Sequence, residues 1–148
     1  MLRALASRHP ASLSRVDLGV LGEVAPNSGT FSDYLSLLRR NGFIQELADG
    51  TIVCSPEGIE HSGVSAANRT APAEVQASAM SRVSGGARRM LEQLIQVYPS
   101  ALPRSELGER AAIAPGSGTF SDYLSMLRRL GFAEVEGQQV RAREVLFA

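Results

Sequence analysis

Lysine is absent from this sequence, so every cationic side chain is an arginine. Without a side-chain amine, Schiff-base chemistry and phosphate loops of the Walker type are excluded. Cysteine occurs once, at Cys54. One thiol forms no internal disulfide, and with no further cysteine near a histidine it supplies no zinc cage, so Cys54 reads as a small buried apolar residue. No stretch approaches the ~18 consecutive apolar residues of a membrane helix. The start, Met1-Leu2-Arg3-Ala4-Leu5, lacks the apolar core and cleavage site of a signal peptide, so the expected location is cytoplasmic, with no membrane partner. Excess charge of either sign is also missing. Fifteen arginines face fifteen acids for a net charge of zero, which excludes a strong long-range pull onto a polyanion.

What the sequence does have is a repeat. Its 148 residues, 44% of them hydrophobic, suffice for one ordinary core or two very small ones. A shift of 89 positions lays Met1-Leu2 on Met90-Leu91, Pro10 on Pro99, Leu13 on Leu102 and Leu18-Gly19 on Leu107-Gly108. Residues 25–43 match residues 114–132 at 16 of 19 positions, differing only at Asn27/Gly116, Leu37/Met126 and Asn41/Leu130. Two homologous units are therefore expected, over residues 1–58 and 90–148. The Ala-, Ser- and Gly-rich residues 59–89 between them have the composition of a partly flexible linker, with room for a short helix over 73–83.

Within each unit, helical periodicity up to Pro10 or Pro99 predicts a first helix that the proline stops. A second follows over residues 14–21 and 103–111. The third has the clearest ends: Thr30-x-x-Asp33 and Thr119-x-x-Asp122 resemble capping boxes, and Gly42 or Gly131 closes the run. At 100° per residue, Phe31, Tyr34, Leu35 and Leu38 share one side, expected to be core, while Ser32, Ser36, Arg39 and Arg40 share the other. After the glycine, β-formers flank Ala48-Asp49-Gly50, and again Glu136-Gly137-Gln138, which predicts a hairpin. The fold class is thus mainly α with small β-hairpins.

Three helices followed by a hairpin is the order of the winged helix-turn-helix. The string S-G-T-F-S-D-Y-L-S-x-L-R-R-x-G-F, present twice, resembles its recognition helix and the start of its wing. The units also resemble winged-helix segments attached to bacterial ATPases. The first resemblance implies double-stranded DNA as partner and regulation of transcription as the usual use, with third-helix side chains reaching base edges and phosphates. Carried onto this sequence, the DNA-binding candidates are Ser32, Ser36, Arg39 and Arg40 in the first unit and Ser121, Ser125, Arg128 and Arg129 in the second. Arg141 and Arg143, alternating along the second wing, join them.

Each candidate has a plainer reading. Arginines in a last helical turn favour the macrodipole and are commonly just solvated, and Asp33 and Asp122 read as caps. The competing function is a protein-interaction or self-association module, an accessory of a larger ATPase assembly among its forms, with the apolar Leu37 and Met126 at the border of the exposed face as its interface. Catalysis is not expected. His9 and His61 are isolated, Ser32-Asp33 has no positioned histidine, and Gly116-Ser117-Gly118 precedes a helix cap rather than following a strand. No cofactor or metal is implied.

Overall fold

A computed structural model describes residues 1–148, which divide into two compact units, Met1–Ala71 and Pro72–Ala148. Unit 1 runs α1 (Leu2–Ser7), α2 (Arg15–Leu21), α3 (Gly29–Arg40), β1 (Ile44–Glu46), β2 (Ile52–Cys54), α4 (Pro56–Ser62) and a 3-10 turn at Ala66–Asn68. Unit 2 runs α5 (Pro72–Ser81), α6 (Gly85–Val97), β3 (Leu102–Pro103), α7 (Arg104–Arg110), α8 (Gly118–Arg129), β4 (Ala133–Glu136), β5 (Gln139–Ala142) and a 3-10 turn at Glu144–Leu146. Eight helices and two small antiparallel sheets make the fold mainly α with small hairpins.

The repeat extends into three dimensions. β1 pairs with β2 in the register Ile44 to Cys54 and Glu46 to Ile52, and β4 pairs with β5 from Ala133 to Ala142 through Glu136 to Gln139. The second hairpin is shorter by one residue, so beyond its turn the repeat offset drops from 89 to 88. That shift brings the two remaining pairings into correspondence: Leu13 bridges Ile52 in unit 1, and Leu102 pairs with Val140 in unit 2.

The third helix begins earlier than its apparent capping box. Its N-caps are Ser28 and Ser117, whose hydroxyl oxygens accept from Phe31 N and Phe120 N at 3.1 Å. The same hydroxyls donate to the carbonyls of Ala25 and Ala114 at 2.7 Å, tying the cap to the preceding turn. Thr30, Asp33, Thr119 and Asp122 lie inside the helix and are exposed, so the capping assignment made for them is corrected. At the other end, Gly42 (φ +72°) and Gly131 (φ +83°) adopt the left-handed conformation. There the amides of Phe43 and Phe132 donate to the carbonyls of Leu38 and Leu127 at 3.0 and 2.9 Å, which closes a Schellman motif.

The corner between the second and third helices is tight. A Cβ at Gly19 would lie 2.6 Å from Pro26 Cγ, and one at Gly108 would lie 2.5 Å from Pro115 Cγ. The third helix is thereby seated over its unit with Phe31 and Phe120 at 0% exposure.

Residues 59–89, expected as a partly flexible linker with a short helix, are largely helical, and the division between the units falls between Ala71 and Pro72 rather than at 58 and 90. α4 packs against α1, α5 packs against α6 and the 144–146 turn, and α6 starts at Gly85. Sparse apolar residues in the stretch, Val64, Val75, Ala79, Val83 and Ala87, are all buried.

Ser117→Ala removes one cap and is expected to cost about 1 kcal/mol, whereas Thr119→Ala stays within about 0.5 kcal/mol; urea denaturation separates them, and equal losses would return the cap to the threonine. Gly108→Ala drives a methyl into Pro115 and is expected to cost about 1–3 kcal/mol in the same assay.

Candidate functional site

Burial on one side of the third helix decides what its other side offers. With Phe31 and Leu35 buried in unit 1, Ser32, Asp33, Ser36, Arg39 and Arg40 emerge exposed. With Phe120, Leu124 and Leu127 buried in unit 2, Ser121, Asp122, Ser125, Arg128 and Arg129 do the same. Both pairs of arginines stand in the last helical turn.

The two stripes are identical in residue type and different in electrostatics. Arg39 Nη2 donates to Glu46 Oε2 on β1 at 2.8 Å, with both side chains about half exposed. Position 135, the counterpart of Glu46, is a valine. Arg128 therefore lacks the pair its twin makes, and no ion pair engages Arg40, Arg128 or Arg129.

The wing arginines do not form a common face. Arg141 on β5 is exposed and donates to Glu134 on β4 from Nη2 at 2.6 Å and Nε at 3.0 Å, and that hydrogen bond pushes the guanidinium pKa up. Arg143 lies beyond the strand at the head of the 144–146 turn and is half-buried. A cleft of about 430 Å³ beside β4 and β5 is lined by Glu134, Glu136 and Arg141 together with Ala101, Val135 and Gln139, so it is not a cationic site. Across third helix and hairpin, unit 1 sets Arg39 and Arg40 against Asp33, Glu46 and Asp49, while unit 2 sets Arg128, Arg129 and Arg141 against Asp122, Glu134 and Glu136.

Several arginines outside the stripes serve the fold. Arg8 is buried, and its pKa is lowered by desolvation and then by Arg69, against the pull of Asp17. Arg15 and Arg82 stand over the Phe31 and Phe132 rings at 5.2 and 5.4 Å. Arg89 Nε donates to the Ala111 carbonyl at 2.9 Å.

The apolar border differs between units more than the sequence suggests. Leu37 is 49% exposed, while Met126 is half-buried. Tyr34, assigned to the core from its position on the apolar arc, is 48% exposed; Tyr123 is half-buried. Leu38, also assigned to the core, is half-buried where Leu127 is fully covered. The reason is the first helix. α6 begins at Gly85, and Gly86 lies so close to Tyr123 that an added Cβ would fall 2.3 Å from ring Cε2. α1 begins at Leu2, and Met1 and Leu2 line a shallow depression together with Tyr34, Leu37 and Leu38.

No group of three His, Cys, Asp or Glu residues has a metal-holding arrangement. His61 is engaged in a stack on Phe43 with ring centroids 4.4 Å apart. Cys54 is buried between the hairpin and α4, and desolvation pushes its thiol pKa up. No helix is long and apolar enough to cross a membrane. No protein-family model, curated protein or solved structure matches the chain.

Proposed function

We propose that this chain binds double-stranded DNA through the third helix of each unit, the units being winged helix-turn-helix domains. The single observation that carries the reading is the twice-repeated exposed stripe of serines and arginines, with Arg40, Arg128 and Arg129 free of ion pairs. Helix order, hairpin position and the resemblance of the S-G-T-F-S-D-Y-L-S-x-L-R-R-x-G-F string support the same assignment.

The stripe divides by position along the helix. In helix-turn-helix docking, the N-terminal residues of the recognition helix face base edges. Ser32, Asp33 and Ser36 stand there in unit 1, and Ser121, Asp122 and Ser125 in unit 2. Serines read bases permissively, and a carboxylate accepts from the amino group of cytosine. The last-turn arginines stand at the opposite end of each helix and are assigned to phosphates. Arg39 and Arg128 are thus assigned to the backbone rather than to guanine.

Charge balance then sets the strength. An exposed pair such as Arg39–Glu46 is worth roughly 0.2–1 kcal/mol, so a phosphate can replace the carboxylate, but the loss subtracts from binding. Acids at the front of each helix repel phosphate as well. Weak non-specific affinity, with site preference carried by the helix fronts, is the expected behaviour, and it suits a regulator that must leave most of the genome alone.

Fluorescence anisotropy on a randomised duplex pool tests this. With one phosphate neutralised by each of Arg39, Arg40, Arg128 and Arg129, the slope of log affinity against log salt is expected at about −3 to −4. Arg40→Ala, Arg128→Ala and Arg129→Ala together should lower that slope by about 3 units. An unchanged slope, or no binding at about 50 mM salt, would refute the assignment. Glu46→Gln releases Arg39 and is expected to tighten binding, and Asp33→Asn with Asp122→Asn should tighten it further; a neutral result for all three would move the DNA off these helices.

A further inference from the structure

Unit 2 carries a charged face that its hairpin does not need in order to form. The cleft of about 430 Å³ beside β4 and β5 is lined by Glu134, Glu136, Gln139 and Arg141, with Ala101 and Val135. Register explains the grouping. Glu134 faces Arg141, Glu136 faces Gln139, and alternation along each strand puts these four exposed side chains on one side of the sheet, while Val140 is buried on the other. Unit 1 folds the same hairpin with Gln45 and Leu47 in place of the two glutamates, and Thr51 and Val53 in place of Gln139 and Arg141. Charge on this side is therefore no condition of hairpin formation, and its presence in unit 2 calls for another account.

The face is incompletely neutralised. Arg141 donates from both Nη2 and Nε to one oxygen of Glu134, Oε1. Glu134 Oε2 and the whole carboxylate of Glu136 accept no hydrogen bond, and no ion pair engages Glu136. Two carboxylates against one guanidinium leave a negative charge over, so the complementary occupant is a cation. Backbone geometry adds a second opening. The two-residue turn Gly137-Gln138 makes Glu136–Gln139 a hydrogen-bonded pair, alternation makes Glu134–Arg141 another, and Val135 between them points its N–H and C=O away from β5. β4 is the last strand of its sheet, and no further backbone hydrogen bond reaches the half-buried Val135. Ala133, which points the same way, is 3% exposed, so the free edge starts at Val135. A second copy adding its own β4 there antiparallel would set glutamate against glutamate, which disfavours it. A free small cation is disfavoured too: an exposed ion pair gives roughly 0.2–1 kcal/mol, too little to hold one molecule, so the cation must arrive on a chain that makes further contacts.

We propose that this face docks an extended basic segment of a partner polypeptide, lying along β4 with arginine or lysine side chains at alternate positions that meet Glu136 and the free oxygen of Glu134, and with its main chain bonded to Val135. Arg141 is the template, since it already holds Glu134 from the strand on the inner side. The inference stands on the hairpin alone and is independent of DNA binding, which is assigned to α3 and α8.

The probe is a synthetic peptide, acetyl-Val-Arg-Val-Arg-Val-amide, titrated into the isotope-labelled full chain at about 50 mM salt and followed by NMR, with the peptide carrying citrulline for arginine as its uncharged control. A dissociation constant on the order of 1 mM is expected from two exposed ion pairs and a short main-chain contact. Amide shifts should centre on Glu134, Val135, Glu136 and Gln139. Glu136→Gln should weaken binding about threefold or more, while Glu92→Gln, which removes the same charge from the exposed side of α6, should leave it unchanged. Both residues are exposed, so each variant's spectrum should otherwise persist. Arg141→Ala frees Glu134 and should tighten binding. Shifts centred elsewhere, no shifts at about 10 mM peptide, undiminished binding of the citrulline peptide, or equal weakening by Glu92→Gln would overturn the proposal. Agmatine shifting the same amides with equal affinity would overturn it as well, because the site would then serve a small cation. So would sedimentation showing that the chain alone forms a Glu136-dependent dimer that the peptide does not dissociate, since the face would then belong to a second copy. The DNA slope is read from different residues, so either result can fail without the other.

Discussion

One buried side chain per unit orients everything the protein shows to its surroundings. Phe31 and Phe120 hold the third helix to its core, and truncating such a ring to alanine typically costs about 3–5 kcal/mol. The pairs on the opposite side, Arg39–Glu46 among them, are worth about 1 kcal/mol or less. The orientation of the stripe is therefore fixed, while the partners of its arginines are exchangeable. That ordering of energies makes the third helix a rigid platform whose charged groups can give up one counter-charge for another. The serine caps and glycine closures define where the helix starts and stops, and the Gly19–Pro26 and Gly108–Pro115 contacts set how it leaves the helix before it.

Near-identity of residues does not produce identity of environment. Over residues 29–40 and 118–129 the helices differ at one position, yet Tyr34 is open where Tyr123 is covered, and Arg39 is paired where Arg128 is not. Both differences come from outside the conserved segment. A longer first helix with Gly86 at its front closes over Tyr123, and Val135 in the place of Glu46 leaves Arg128 unpaired. Each unit thus carries the same instrument with a different setting.

Much of this was legible in the sequence, because periodicity and turn chemistry are local signals. The 89-residue shift, the 3.6-residue rhythm of Phe31, Leu35 and Leu38, and Asp49-Gly50 between β-formers required no tertiary information. Local signals also misled where they were duplicated or weak. Ser-Gly-Thr-Phe-Ser-Asp contains two capping residues two positions apart, and only the geometry of the Ala25 turn selects Ser28 over Thr30. Residues 59–89 carry few apolar side chains, so composition suggested a tether, but Val64, Val75 and Val83 each sit where one buried methyl cluster suffices to anchor a helix or turn. The difference between Tyr34 and Tyr123 was invisible because the contact of Gly86 with the Tyr123 ring is a tertiary one that periodicity within the third helix does not carry. The Arg39–Glu46 pair spans helix and strand, seven residues apart, a spacing that periodicity within a helix does not flag. Comparing Glu46 with Val135 across the repeat would have found it.

The third helix of unit 1 has three working sides rather than two. Projected at about 100° per residue, Phe31 and Leu35 centre on the core, Ser32, Ser36, Arg39 and Arg40 lie on one flank, and Tyr34 and Leu37 lie on the other, roughly 175° and 115° from the middle of the serine-arginine stripe. The stripe and the Tyr34–Leu37 flank therefore share no residue. In unit 2 the corresponding flank is already closed by α6, so α8 offers only its stripe. The difference between the flanks lies in Gly86 and the turn around it rather than in the third helices themselves, which differ at one position.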